Sequence, residues 1–525
     1  MFFQSAGAVE FCPLDVRIAT YIGGELLKPI FEITGNTLSS CQTTPVAFPG
    51  CLQSFGALLI YDSETQEVLR VSENFQNFIP RGGARFSCSL GDWLPAEILS
   101  QVKSLEVGKM KTVVLNTSEF SDQPGVALWA TLHRQGREIF LELERDPSGA
   151  APVMSAERMS QLCVELSLLS EENFYTAVLD SIQSFMPFDR MMLYRFDEDW
   201  NGEVVAENLK ADLQSYLHHW FPEGDIPLPA REMYLANPVR MIADISARTT
   251  PLQETNMHRP IKMVDLSPCV SRGVANVHVE YLRNMRVEAS SSFAITIRGK
   301  LWGIVACHNR VPRYVNPETR SWVKVLLRLA GLKISEMEFL RDADELAFQR
   351  RIFEKIADRK TAGEEIPRLV NEAQEDFLRI VHADGFAIVN ADSIHSVGKL
   401  PSEEWIRRFL EKAAQSGTAF RTQSMAEEIE DFKHSASDTA GMLAVRLSSN
   451  GGPWAVWFRN SIAKEVLWGG DPRKPPELES FTGRIHPRKS FETWKQSVFH
   501  RCAPWSDLEA SVAKDLLRLL ALEAN

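Results

Sequence analysis

Between Asn316 and about Lys360 the sequence reads as a single helix, and no other feature limits the fold as much. Asn316, Pro317 and Glu318 supply an N-cap, a first-turn proline and an acidic first turn, with no further proline or strong stop until about Lys360. Val325, Leu332, Phe339, Leu346 and Phe353 recur every seven residues along it. One apolar stripe of about 40 residues is longer than a compact domain needs for its own packing, so separate domains must lie before and after it. The stripe serves equally as a face packed on its own domain or as a seam between two chains, because the second heptad register is interrupted by Glu336 and Arg350.

The chain of 525 residues is too long for one core, and two to four domains are expected. With 57 basic against 69 acidic side chains its net charge is -12, which disfavours unspecific attraction to nucleic acid or anionic lipid. No apolar run approaches the roughly 20 residues needed to cross a bilayer, and the N-terminus lacks the basic start of a secretion signal, so a cytoplasmic protein is expected. The eight cysteines (Cys12, Cys41, Cys51, Cys88, Cys163, Cys269, Cys307, Cys502) show no CxxC pair and no metal-ligand spacing. No phosphate-binding glycine loop, Ser/His/Asp arrangement or kinase ATP signature is present, which argues against an enzyme.

Short strand patterns (GALLIYD, TQEVLRVS, KTVVLNTSEF, VALWATLHR, EIFLELER) fill the stretch from about Thr44 to Arg145, and DPSGAAPVMS reads as a linker. Helix patterns RMSQLCVELSLL and FYTAVLDSIQSFM follow, then strand-like segments, a loop-rich insertion and SSFAITIRGKLWGIVACHN. That is an α+β sensor domain. A third α+β domain carries GFAIVNA, MLAVRLSS and PWAVWFRN, and the last helix opens with a Ser506 and Glu509 capping box.

Three separated segments stand out: CQTTPVAFPGCLQSFGALLIYD from Cys41; FPEGDIP at Phe221–Pro227 followed by AREMY, NPVRMIAD, SRGVANVHVEYLRNM and LWGIVACH; and WGGDP at Trp468 with HPRKSFETW at His486. Together they resemble the photosensory core of bacteriophytochromes. The resemblance covers nearly the whole chain in the order PAS, GAF, PHY. It implies an N-terminal extension over 1–43, a PAS domain over 44–150, a GAF domain over 151–315, the long connecting helix over 316–360, and a GAF-like PHY domain over 361–525 with a hairpin tongue at about 460–498. It also implies an N-terminal figure-of-eight knot. The function implied is red/far-red light sensing through covalently bound biliverdin IXα, with a homodimer along the helical spine and a downstream output module or response regulator.

Residue by residue, the resemblance makes Cys41 the chromophore-attachment cysteine, with Cys12 and Cys51 as rivals. Val277 stands where plant and many cyanobacterial relatives carry their cysteine, which points to biliverdin. Arg240 and Arg272, helped by Ser290 and Ser292, are the expected partners of the two propionates, since arginine binds carboxylate through two parallel donors. His278 and His308 are the ring histidines. Tyr194, Phe221, Tyr234 and Tyr281 are the aromatic walls, beside Ile226 and Pro227. Asp225 is expected to offer its backbone carbonyl to the pyrrole N–H groups and its carboxylate to Arg488, with Ser490 as a hydroxyl donor nearby; Trp468 and Phe491 complete the tongue.

The tongue sequence fits two conformations. Ile485, Pro487, Lys489 and Phe491 share one face of a strand, whereas Phe491, Trp494 and Val498 share one face of a helix. Departures from the family pattern stand at Ala47, Phe48, Phe55, Glu223, Gly224 and Ala275. A GAF sensor of a cyclic nucleotide or another diffusible ligand is the competing class; it needs neither Cys41 nor the tongue.

Overall fold

The computed structural model describes residues 21–22, 25–26, 49–79, 90–92, 94, 96–115, 128–145, 154–255, 264–434, 437–448, 451–462, 464–473, 477–478, 485–498 and 500–521. Cys41, Ala47, Phe48 and most of the linker segment lie outside the described residues. The chain divides into two compact units: residues 1–334 with 468–494, and residues 335–467 with 495–525.

The first unit begins with an antiparallel sheet of β1 (Cys51–Gln53), β2 (Gly56–Asp62), β3 (Glu67–Ser72), β4 (Met110–Leu115), β5 (Leu128–Gln135) and β6 (Glu138–Arg145). Five of these run in the order β3-β2-β6-β5-β4. Strand β6 is covered on both faces. Ile139, Leu141 and Leu143 enter one core with Leu59, Leu128 and Leu132, and Phe140 enters another with Leu52, Leu58, Leu266 and Cys269. Side chains two apart share a face, so Glu142 and Glu144 are on the Phe140 side, and both are 0% exposed.

Two helices follow, α1 (Ala156–Ser167) and α2 (Glu171–Phe185); the Ser155 hydroxyl caps α1 by accepting from Arg158 N–H. Then come β7 (Arg190–Phe196), β8 (Gly202–Leu209), β9 (His219–Phe221), α3 (Leu228–Ala236), β10 (Val239–Ile242), β11 (Thr249–Glu254), α4 (Asn276–Asn284), β12 (Ala289–Ile297) and β13 (Lys300–Asn309). Strand β11 leaves this second sheet and inserts into the first, pairing Thr250 with Leu52 and Gln253 with Val71. The expected knot involves the segment before Pro49, of which only residues 21–22 and 25–26 are described.

Helix α5 runs unbroken from Pro317 to Thr361, with the Asn316 side chain accepting from Thr319 N–H at 2.8 Å. Val325, Leu332, Phe339 and Leu346 are all exposed along it, while Phe353 packs against the core of the second unit. That second unit holds a five-stranded antiparallel sheet in which Trp457 is wholly buried and donates its indole N–H to the Phe377 carbonyl at 2.9 Å. Its final helix, α6 (Asp507–Leu520), opens with the Ser506 and Glu509 capping box.

The tongue segment contributes β14 (Lys464–Gly469), β15 (Glu477–Leu478), β16 (Ile485–His486) and β17 (Thr493–Val498). Its residues 468–494 belong to the first unit, whose second sheet includes the run β10-β12-β13-β7-β8-β9. Residues 487–492 are irregular rather than a continuous strand, so Pro487 and Phe491 are buried while Lys489 is exposed. Among the described residues no helix is long and apolar enough to cross a membrane, and no cluster of His, Cys, Asp or Glu is arranged to hold a metal ion.

Candidate functional site

Sheet register collects one set of polar groups. Residues directly opposite on neighbouring strands share a face, and so do residues two apart on one strand. Arg240 lies opposite Ser292 and Ile242 opposite Ser290. Ser290 in turn lies opposite His308, and Ser292 opposite Ala306; Ile304 lies opposite Tyr194. One face of the sheet thus presents Arg240, Ser290, Ser292, His308 and Tyr194. The Tyr234 hydroxyl of α3 reaches down to this face and meets the Ser292 hydroxyl at 2.6 Å.

The electrostatics of that face are unbalanced. Arg240 and Arg272 lie deep in the domain, and neither forms an ion pair with a carboxylate among the described residues. Their guanidiniums are held instead by backbone carbonyls: Arg240 donates to Arg272 O and Gly273 O at 3.2 and 3.0 Å, and Arg272 donates to Cys269 O at 2.9 Å. Burial, with the Arg272 charge beside it, pushes Arg240 well below the ordinary guanidinium value, and burial also lowers Arg272. Cations withdrawn from water without counter-ions are costly, Arg272 buried and Arg240 half-buried, and an anionic ligand relieves that cost.

The histidines belong to the same surroundings. Burial and the Arg240 charge bring His278 down to about 4, and burial with Arg190 and His278 brings His308 down to about 3, so both rings are neutral near pH 7. His278 stacks on Tyr281 with ring centres 5.9 Å apart. The Nδ1 of His308 is buried on this face without a hydrogen-bond partner. An unmet polar atom there suits a ligand that brings its own polar groups.

An aromatic and apolar wall closes the other side. Tyr194, Tyr216, Phe221, Ile304 and the tongue residue Phe491 form one buried cluster, with Ile226, Tyr234 and Tyr281 against it. Gly202 is required beneath it: a Cβ there would come within 1.7 Å of the Tyr194 ring. The Tyr281 and Phe491 rings meet edge to face at 4.9 Å.

Asp225 ends a 3-10 turn, Glu223–Asp225. Its Oδ2 accepts from the Tyr281 hydroxyl at 3.0 Å and from the Arg488 guanidinium in a very short contact. The two side chains are 10% and 7% exposed, so this is a buried pair. Burial pushes the Asp225 carboxyl up against the pull of Arg488 and Tyr281, while Asp225 holds Arg488 protonated despite its own burial. Arg488 also donates to Gly469 O at 2.8 Å, and its backbone carbonyl accepts from Asn284 at 2.9 Å.

Ser490 takes no part in this pairing. It is exposed and its hydroxyl accepts from Glu492 N–H, so the hydroxyl that meets Asp225 comes from Tyr281. Pro227 caps α3, and Trp468 is half-buried at the end of β14. Glu223, a departure from the family pattern, forms a 2.9 Å ion pair with buried Arg231, which also donates to Ile226 O at 2.8 Å and lies over the Trp200 ring. Arg231 therefore clamps both flanks of Asp225. Gly224 is exposed with open space around it, Ala275 precedes α4 without a side-chain cap, and Phe55 packs on Tyr314. Arg231, Asn284, His219 and Thr493 carry no expected role in the sequence reading, although Arg231 lies within AREMY, Asn284 within SRGVANVHVEYLRNM and Thr493 within HPRKSFETW; only His219 lies outside the quoted motifs.

As a whole the site suits a flat, conjugated ligand with two carboxylates and polar ring atoms. Comparison with known proteins agrees with this organisation. Residues 41–146 match the family model described as PAS fold, residues 170–334 the GAF domain, and residues 349–523 the phytochrome region. The chain is 31% identical to cyanobacterial phytochrome B of Nostoc sp., over 91% of this chain and 65% of that protein. It is 29% identical to a bacteriophytochrome of Pseudomonas aeruginosa, over 94% of this chain and 68% of that protein. Among solved structures it is similar to a bacteriophytochrome of the photosynthetic bacterium R. palustris, with TM-score 0.78, 27% identity, and coverage of 92% of this chain and 98% of that one. The photosensory core module of a Stigmatella aurantiaca phytochrome matches with TM-score 0.77 and 28% identity, covering 91% of this chain and 97% of that one. The chain spans 65% and 64% of the length of the two Nostoc phytochromes it matches.

Proposed function

Since the chain belongs to the phytochrome family and has the PAS, GAF and phytochrome-region domains of a photosensory core, we propose that it is the light-sensing part of a red/far-red photoreceptor that holds biliverdin IXα through Cys41. The observation that carries this reading is the pair of guanidiniums on one site, buried Arg272 and half-buried Arg240, that have no carboxylate partner among the described residues.

In this reading the two arginines, with Ser290, Ser292 and His278, bind the propionates, and Tyr194, Phe221, Tyr234 and Tyr281 exclude water around the rings. Cys41 would hold the bilin by adding its thiol across a vinyl double bond, the sulfur bonding to one vinyl carbon and the thiol proton passing to the other, which needs no leaving group and no oxidant. The bilin supplies the red absorption and the double bond whose isomerisation starts the response. The chain's part is to turn a local change beside Tyr194 and Phe221 into a larger one. Asp225 and Arg488 hold the tongue in its strand form, and breaking that pair releases a segment whose sequence also fits a helix.

The catalytic chemistry of a complete receptor is assigned to an output module following this sensory module, in keeping with the greater length of the relatives. The exposed stripe of Val325, Leu332, Phe339 and Leu346 favours a homodimer along α5.

Colour is the test. Apoprotein mixed with biliverdin, then denatured, is expected to show zinc-induced fluorescence of a covalent adduct, and native protein to interconvert under red and far-red light. No bound bilin overturns the photoreceptor reading. An adduct that persists in Cys41→Ala overturns only the attachment site.

A further inference from the structure

The loop that carries Arg272 is held from behind by the first sheet. On the site side its carbonyls support both arginines: Cys269 O accepts from Arg272, and Arg272 O and Gly273 O accept from Arg240. On the far side its donors meet Glu142 of β6, whose Oε1 accepts from Ser271 N–H at 2.6 Å and from the Ser271 hydroxyl at 2.5 Å, while Oε2 accepts from Val270 N–H at 3.2 Å. Backbone bonds extend the hold, from Gln53 N–H to Ser271 O at 2.7 Å and from Gly273 N–H to Cys51 O at 2.8 Å. The Gln53 side chain adds a bond to Arg272 O at 3.1 Å.

Glu142 is wholly buried. Burial alone would raise its carboxyl, but His133 and the Ser271 donors bring it below the ordinary range, so it sits there as an anion. Its carboxylate has acceptor sites for all three loop donors, and hydrogen bonds to an ionised acceptor are roughly twice as strong as neutral ones. A glutamine has one acceptor oxygen, and its amide would turn a donor toward Val270 N–H.

We propose that Glu142 is a positioning residue of the ligand site: its carboxylate fixes loop 269–273, and the carbonyls of that loop aim Arg240 and Arg272 at the carboxylates of the ligand. The assignment rests on the bilin reading above, and it gives the PAS sheet a part in pigment recognition beyond that of the N-terminal cysteine.

The full chain as apoprotein tests it, with biliverdin and biliverdin dimethyl ester as the two probes. Glu142→Gln is expected to slow covalent attachment of biliverdin about tenfold, the loss of one charge-assisted contact, while the ester, which has no free carboxylates, attaches at a rate changed by less than about twofold. Ser271→Ala, which keeps both backbone bonds to Glu142, is expected to fall between Glu142→Gln and the unsubstituted chain. Hydrogen exchange of the apoprotein provides a readout without pigment: the amides of residues 270–273 lose protection in Glu142→Gln. Equal slowing of both pigments, or unchanged biliverdin attachment, overturns the proposal, as does unchanged exchange at 270–273. If the unsubstituted chain takes up neither pigment, the bilin reading fails, and the exchange result still decides whether Glu142 holds the loop.

Discussion

Arg488 and Tyr281 donate to the same oxygen of Asp225, Oδ2, one from the tongue and one from α4. Removing Arg488 leaves a buried carboxylate with the Tyr281 hydroxyl alone, and stranding a buried charge in this way costs roughly 3–5 kcal/mol. The carboxyl, already raised by burial, escapes that cost by taking up a proton. Arg488→Ala is therefore expected to show a carboxylic-acid C=O band in the infrared at neutral pH, absent when Asp225→Asn is added. Tyr281→Phe, which keeps the cation, is expected to show no such band. A charged Asp225 in Arg488→Ala would refute the argument.

Gly470 separates holding the tongue from holding a ligand. Its φ is +102°, and a Cβ there would come within 2.4 Å of Ser490 O and 3.1 Å of the Arg488 guanidinium. Backbone strain of this kind costs about 1–3 kcal/mol before the clash is counted. Gly470→Ala is expected to drive the tongue out of the strand form, seen as loss of strand signal in the infrared amide I band and faster proteolysis within residues 468–494. Covalent attachment of biliverdin should be unchanged, because Arg240, Arg272 and the sheet face are untouched.

The contrast between Asp225 and Glu142 shows how much was legible in the sequence. The long helix, its Asn316 cap and the Ser506 capping box are written in local residue types, and the structure has them at Pro317–Thr361 and Asp507–Leu520. The Asp225 and Arg488 partnership was legible through motif resemblance, although its two members are 263 residues apart. Glu142 was not: EIFLELER reads as a strand with alternate acidic residues, the pattern of a sheet with one wet face. The segment of Leu266, Cys269 and Ser271 arrives more than a hundred residues later and covers that face, so its charges became internal through tertiary contact that no local period encodes. The Ser490 expectation failed for a related reason. Residues 487–492 leave strand geometry, which turns Ser490 outward.

Acid should act on the apoprotein through His278 and His308. Their folded values are about 4 for His278 and about 3 for His308, below the value of 6.5 for an unhindered imidazole. Between these limits the unfolded chain binds protons that the folded chain does not, so stability rises with pH there. Stability is expected to fall as pH drops from about 6.5 toward 4 and to lose this dependence below about 3. Denaturant midpoints across a pH series check it: His308→Gln should remove part of the slope. A slope unchanged in His308→Gln and in His278→Gln would show that neither ring is held neutral.

Thr493 gives the tongue a second hold, independent of Asp225. The His219 ring is buried, with Nδ1 3.1 Å from Leu217 O and Nε2 2.8 Å from the Thr493 hydroxyl. A carbonyl only accepts, so Nδ1 carries the proton, and in the neutral ring Nε2 must accept from Thr493. Thr493 in turn accepts from the Gln214 amide at 3.0 Å, which fixes every donor in the chain from Gln214 through Thr493 and His219 to Leu217. Thr493→Val keeps the shape of the side chain and removes the central link, costing the strand form about 1 kcal/mol, or about fivefold in the balance between tongue conformations. Thr493→Ser restores the hydroxyl and should restore the balance. The sense of the change should match that of Arg488→Ala, since both remove contacts made only in the strand form, and the two effects should add because the groups share no partner. The light-induced amide I difference and the thermal reversion rate provide the measurement; a Thr493→Val photocycle identical to that of the unsubstituted chain would mean that the hydroxyl does not hold the tongue.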